Sequence, residues 1–194
     1  MSKVENPLSE STLKDFCDLC NWIYEVWITH RILFDDNPRK AELQKSFGGD
    51  ALGRLSIVSQ EYLLLQIAKL NDNHSSYSGS NLSIKYIVKS GDWPPAVNEL
   101  ANELNKFSEN LKIARNKLIA HNDLTTIQSS NSGYGAFDES AGLDYIKNLE
   151  KFANLISESL TGESFTFNTL ADNDAKGLEQ LINSGFDSLH HINK

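Results

Sequence analysis

The chain has 194 residues, with 18 Lys+Arg against 26 Asp+Glu, a net charge of −8 and a sequence pI near 5.1. A length of this order fits one domain over 1–194, and 40% hydrophobic with 23% charged residues describes an ordinary soluble globule, neither disordered nor fibrous. The acidic balance excludes broad coating of DNA or RNA by phosphate neutralisation, which needs a wide basic surface, yet leaves room for a small basic patch.

The start, MSKVENPLSE, has no basic stretch followed by an apolar one, and no run approaches the ~18 apolar residues of a membrane helix. A cytoplasmic location without membrane association is therefore expected. Leu occurs 25 times and Val 5 times, while Gly and Pro together make 15 residues. Unbranched apolar side chains lose little rotamer freedom in helices, so the expected class is all-α, a bundle of five to six helices.

In chain order, Leu13, Phe16, Cys20, Ile23, Val26/Trp27 and His30 recur at threes and fours and predict a helix over about 9–35, ended by Asp36-Asn37-Pro38. After Gly48-Gly49 a second helix carries Leu52, Leu55, Tyr62/Leu63, Ile67 and Leu70. Its apolar character near Tyr62-Leu63-Leu64-Leu65 suggests the central helix of the bundle. Residues 71–80 are polar and turn-rich and read as a surface loop, and a short helix over about 82–90 precedes Gly91. Asp92-Trp93-Pro94-Pro95 opens the next helix, since Pro is tolerated in a first turn. That helix, over about 95–121, has a seam of Val97, Leu100, Leu104, Phe107, Leu111, Ala114, Leu118 and His121, at alternating steps of three and four. Residues 122–137 read as a second loop. A helix over about 139–161 carries Leu143, Ile146, Leu149, Phe152/Ala153, Ile156 and Leu160, with Gly162 as its C-terminal glycine. The core thus spans about 9–161. Residues 163–194 form a C-terminal extension with a helix from Asp172 to about Ile192, weakened by Gly177 and Gly185.

The site candidate is the end of the fourth helix. Between Lys106 and Lys117 stand four basic residues, Lys106, Lys112, Arg115 and Lys117, against Glu109, so a phosphate-bearing ligand would be attracted to this stretch. Arg115 and His121 are six positions apart, about 120° around and about 9 Å along a regular helix. They meet on one phosphate if the last turn unwinds, or if a second copy supplies part of the site across a two-fold axis. Histidine titrates near neutral pH and can take a 2′-hydroxyl proton or protonate a leaving 5′-oxygen of RNA. Arginine forms paired hydrogen bonds to phosphate and stabilises charge that grows in the transition state. Asn116 is placed to hold the phosphate or orient the histidine, Lys117 adds positive charge, and Asp123 can fix the imidazole tautomer. No metal or cofactor is called for.

Arg115-Asn116, a hydrophobic spacer and Ala120-His121 resemble the Arg-polar-x(4–6)-His signature of the HEPN superfamily of all-helical proteins. The string from Arg115 to Asp123, with Leu70-Asn71-Asp72 and Asn81-Leu82-Ser83-Ile84, resembles its U-type abortive-infection branch over most of 10–160. The resemblance implies a homodimeric helical bundle, often a metal-independent endoribonuclease toxin or antiviral effector with RNA as substrate. Arg115 and His121 match the family's catalytic pair, and Asn116 its polar position. It also admits inactive scaffolds. The alternative is therefore a non-catalytic interaction or nucleotide-binding module working with a partner, such as an antitoxin or other regulatory protein.

Blander readings exist for each feature. Cations near a helix C-terminus gain about 0.3–1 kcal/mol from the dipole alone, although this does not explain a histidine where Leu would fill the seam better. Cys17 and Cys20 lack the second pair of a zinc site and read as buried thiols. His74 reads as a solvated loop residue and His190-His191 as a surface pair. Trp22, Tyr24 and Trp27 can stack bases but sit at core-packing spacing.

Overall fold

A computed structural model describes residues 7–77, 79–114 and 139–192. The described chain is all-α apart from one tiny hairpin. Its helices are α1 (Glu10–His30), α2 (Lys40–Gln44), α3 (Gly49–Leu70), α4 (Ile84–Lys89), α5 (Pro95–Ala114), α6 (Glu139–Thr161) and α7 (Leu170–Ile192). Packing divides them into two compact units. One comprises the chain up to Asn21 and Leu64–Phe167, the other Trp22–Leu63 and the chain from Asn168 onward. The division falls within α1 and α3, so each of these helices contributes to both.

In the first unit the predicted periodicities become a core. Leu13, Phe16 and Cys20 of α1 are buried, as are Val97, Leu104 and Leu111 of α5 and Ile146, Leu149, Phe152, Ala153 and Ile156 of α6. Phe16 meets Phe152 edge to face at 5.9 Å, an arrangement that adds about 0.5–1.5 kcal/mol to the area it buries. The α5 and α6 helices pack along one another, and α4 packs on α5. Ser83 starts α4: its extended backbone (φ −145, ψ 167) turns the hydroxyl to accept from the Tyr86 amide at 3.3 Å, closing one of the orphan donors of the first turn. Gly162, at φ +78, follows the last residue of α6 and donates its amide to the Glu158 carbonyl. A side chain would strain that left-handed turn, which explains the glycine. The chain beyond it is clamped along α6: Phe165 N–H donates to Asn154 Oδ1 at 2.7 Å and Phe167 N–H to Glu150 Oε1 at 2.8 Å.

In the second unit α1 ends in a π-helical turn, Arg31–Asp35, closed by Asp36 N–H donating to the Arg31 carbonyl at 2.8 Å. Ile28 and Ile32 pack with Ala171 and Ala175 of α7, flanked by Tyr24 and Trp27. Arg39 reaches Asp187 at 2.8 Å and lies over the Phe186 ring at 4.6 Å.

Several expectations need amendment. The predicted helix over 9–35 is an α-helix to His30 with one wide turn after it. The short α2 was not foreseen. Within the predicted loop 71–80, Ser75–Ser76 pairs antiparallel with Gly79–Ser80, too little strand to alter the class. The predicted central helix, α3, is not buried all round. Leu63, Ile67, Ala68 and Leu70 are buried, whereas Leu55, Ile57, Val58 and Tyr62 are exposed, because its N-terminal half carries more apolar surface than its one packed face uses. The last helix starts two residues earlier than predicted and runs through both glycines.

Candidate functional site

The predicted site follows α5 in the chain. Its seam is sealed at Val97, Ala101, Leu104, Ser108 and Leu111, while Lys106 and Glu109 are exposed. The described part of α5 ends at Ala114. Arg115, Asn116, Lys117, His121 and Asp123 follow it in the chain and lie outside the described residues, as does the predicted loop over 122–137.

The packing against α5 includes a buried polar pair, Asn71 and Tyr145. Phe107 of α5 packs on the Tyr145 ring of α6 with centroids 4.7 Å apart. The Tyr145 hydroxyl accepts from Asn71 Nδ2 at 2.9 Å, and the same amide donates to the Ile67 carbonyl at 2.8 Å. Asn71 is fully buried and closes α3 from just beyond its last residue. Its Oδ1 has no hydrogen-bond partner among the described residues, an omission of the kind that costs about 1–3 kcal/mol in a buried site. Burial pushes the Tyr145 hydroxyl well above its ordinary range, the Asn71 hydrogen bond opposing the shift. Tyr145 therefore stays neutral and serves as a fixed dipole beneath α5 rather than an acid or base.

The other family-like string lies just after this end of α3 in the chain. Asn81 donates Nδ2 to the Asn73 carbonyl at 2.9 Å, and Lys85 reaches Asn73 Oδ1 at 3.1 Å. Ser83 caps α4 while Ile84 is fully buried. The residues of Leu70-Asn71-Asp72 and Asn81-Leu82-Ser83-Ile84 thus build and fasten the turn between α3 and α4.

A second polar cluster lies in the second unit. His30, 5% exposed, has Nδ1 2.5 Å from Ser59 Oγ and Nε2 3.1 Å from Gln60 Nε2. Asp35, at the far end of the π-helical turn, is 3.6 Å from Nε2, and Phe34 packs on the imidazole. Burial lowers the His30 pKa below its ordinary 6.5; Asp35 opposes this and Lys40 reinforces it. The group is a neutral imidazole held in a hydrogen-bond network.

The two cysteines take structural roles. Burial lifts the Cys17 thiol to about 11 and the Cys20 thiol well above its usual range, which removes the thiolate that metal binding or nucleophilic attack needs. His74 Nε2 is 3.1 Å from Lys89 Nζ. The side chains of His190 and His191 lie outside the described residues. Tyr24 and Trp27, half-buried, pack against the core of the second unit, whereas Trp22 is 47% exposed and donates Nε1–H to the Tyr62 hydroxyl at 2.9 Å. Among the described residues no helix is long and apolar enough to cross a membrane. Sequence reasoning placed His30 only as a seam residue and passed over Tyr145. The usable signals were a histidine five residues before Asp35 and a tyrosine on the apolar face beside Ile146.

The protein-family model for AbiU2 HEPN proteins matches residues 3–181. The match includes Arg115 through Asp123 and reaches well into α7, so the likeness does not stop near 160 as the residue strings alone suggest. No curated protein and no solved structure matches the chain. With residues 3–181 of 194 covered by one family description, the chain belongs to the AbiU2 type of the HEPN superfamily.

Proposed function

We propose that this HEPN protein is a cytoplasmic, homodimeric, metal-independent endoribonuclease acting as a toxin-like effector in phage defence. The observation that carries the reading is the string Arg115-Asn116 to His121-Asn122-Asp123. It lies within the family match and directly follows an amphipathic helix whose seam is packed. In this reading His121 removes the proton of a ribose 2′-hydroxyl, the 2′-oxygen attacks phosphorus, and the bond to the 5′-oxygen breaks. The leaving oxygen takes a proton from the protonated histidine of the same site or its two-fold mate. Arg115 grips the non-bridging oxygens with two N–H donors and offsets the negative charge that grows there. Asn116 and Lys117 hold the phosphate, and Asp123 orients the imidazole. A nuclease of this kind needs restraint, so an antitoxin or other regulatory protein is part of the proposal.

The test is RNA cleavage by purified protein in excess chelator. Wild type should cut, and His121→Ala and Arg115→Ala should each lose about 100-fold or more, the scale expected for removing a general acid or base or a transition-state charge partner. Equal cutting by wild type and both variants refutes the assignment. The net charge of −8 favours one other reading, a non-catalytic module that binds a partner. Absence of cleavage combined with a stable complex isolated with a co-encoded protein would favour that module.

A further inference from the structure

The exposed face of α3 has a pattern that a solvated helix does not need. Ala51, Leu55, Val58 and Tyr62 recur at steps of four, three and four, which places them within about 60° of arc in a single stripe. Leu55 is 57% exposed, Val58 59% and Tyr62 39%, and Ala51 is exposed as well. Trp22, tied to Tyr62 by its indole N–H, widens the stripe at one end. Such contiguous apolar surface on an acidic chain marks an interaction site.

The charges along its border indicate the occupant. Arg54 and Glu61 lie seven residues apart on one edge of the stripe, in corresponding positions of successive heptads, and neither forms an ion pair among the described residues. When two helices pair antiparallel about a two-fold axis, like edges face each other. Centring that axis near Val58 sets Leu55 against Tyr62 of the mate and Arg54 against Glu61 of the mate, each contact made twice. In a parallel pairing this edge would instead face the opposite edge, where Leu52 and Ser59 carry no charge.

We propose that this α3 stripe is the surface by which two copies of the chain associate, antiparallel and about a two-fold axis near Val58. The inference rests on the dimeric part of the proposed function and assigns its surface; it requires nothing of Arg115 or His121. A single helix pair with a flanking tryptophan gives a small interface, so a dissociation constant of roughly micromolar order is expected.

Sedimentation of the full chain without RNA, from about 1 to about 100 µM, tests it. Wild type should move from monomer to dimer across this range. Arg54→Glu and Glu61→Arg should each weaken the dimer by about tenfold or more, since each replaces two attractions with two repulsions, and the double variant R54E/E61R should recover wild-type association. All these changes are confined to border side chains and spare the core. Val58→Cys should form a disulfide-linked dimer on mild oxidation, because that residue meets its own mate at the axis, and wild type should not. A dimer indifferent to both charge reversals overturns the surface while leaving a dimer elsewhere intact. A chain monomeric throughout the range overturns both the surface and the dimeric reading, leaving the stripe to another partner. The cleavage assay judges the nuclease chemistry separately.

Discussion

His30 shows how one side chain gives the molecule a pH dependence unconnected with any reaction. Burial, opposed by Asp35 and aided by Lys40, holds its pKa below 6.5 in the folded protein, while in the unfolded chain it returns to the ordinary value. The unfolded state therefore binds more protons in the interval below 6.5, and stability falls as pH drops through it. Thermal unfolding followed from about pH 7.5 down to about pH 5.5 should show a falling midpoint. His30→Gln keeps hydrogen-bonding capacity without the titration, so it should fall less over the same interval. A drop of equal size in the variant would place the pH sensitivity elsewhere. The periodicity made His30 legible as a buried position, since it closes the α1 seam. It could not show the partners Ser59 and Gln60, which lie 29 and 30 residues away. Tyr145 stayed hidden for a related reason: a tyrosine on an apolar face reads as packing, and only the fold brings the Asn71 amide to its hydroxyl.

Helix by helix, periodicity and punctuation carry most of the information. The α6 helix spans the predicted 139–161 because its apolar spacing is regular and Gly162 ends it with a left-handed turn. The π-helical turn after α1 was not legible, since its five residues are too few to show a wider period. Nor was α2, whose five residues are too few to show a period. The glycines of α6 and α7 allow a test with opposite signs. Gly162, at φ +78, should lose about 1 kcal/mol of stability as Gly162→Ala, because alanine is strained there. Gly177 lies inside α7 with open space where a Cβ would go. Gly177→Ala should therefore gain roughly 0.5–1 kcal/mol from helix propensity. Denaturant unfolding of the two variants checks both signs; destabilisation of similar size at both positions would contradict the conformational argument.

Across the whole molecule, the acidic charge and the proposed function pull against each other. Under the proposed function a chain of net charge −8 must concentrate its cations to bind RNA, as Lys106, Lys112, Arg115 and Lys117 do along the sequence. All-α architecture and family were legible because both are written in local patterns, helical periodicity for one and short residue strings for the other. A meeting of Arg115 with His121, as the proposed function requires, is not legible in the sequence: a separation of about 120° on a regular helix leaves it to the path of the chain beyond Ala114 or to a second copy. The claim that rests on their meeting is attack by a ribose 2′-oxygen without metal. Its most direct measurement is the fate of an RNA with one preferred cleavage position, incubated with wild-type protein and chelator, beside the same RNA bearing a single 2′-deoxy sugar there. The account predicts a 2′,3′-cyclic phosphate and a 5′-hydroxyl from the first and no cut at that position in the second; cleavage at the deoxy position, or a 5′-phosphate product, would contradict it.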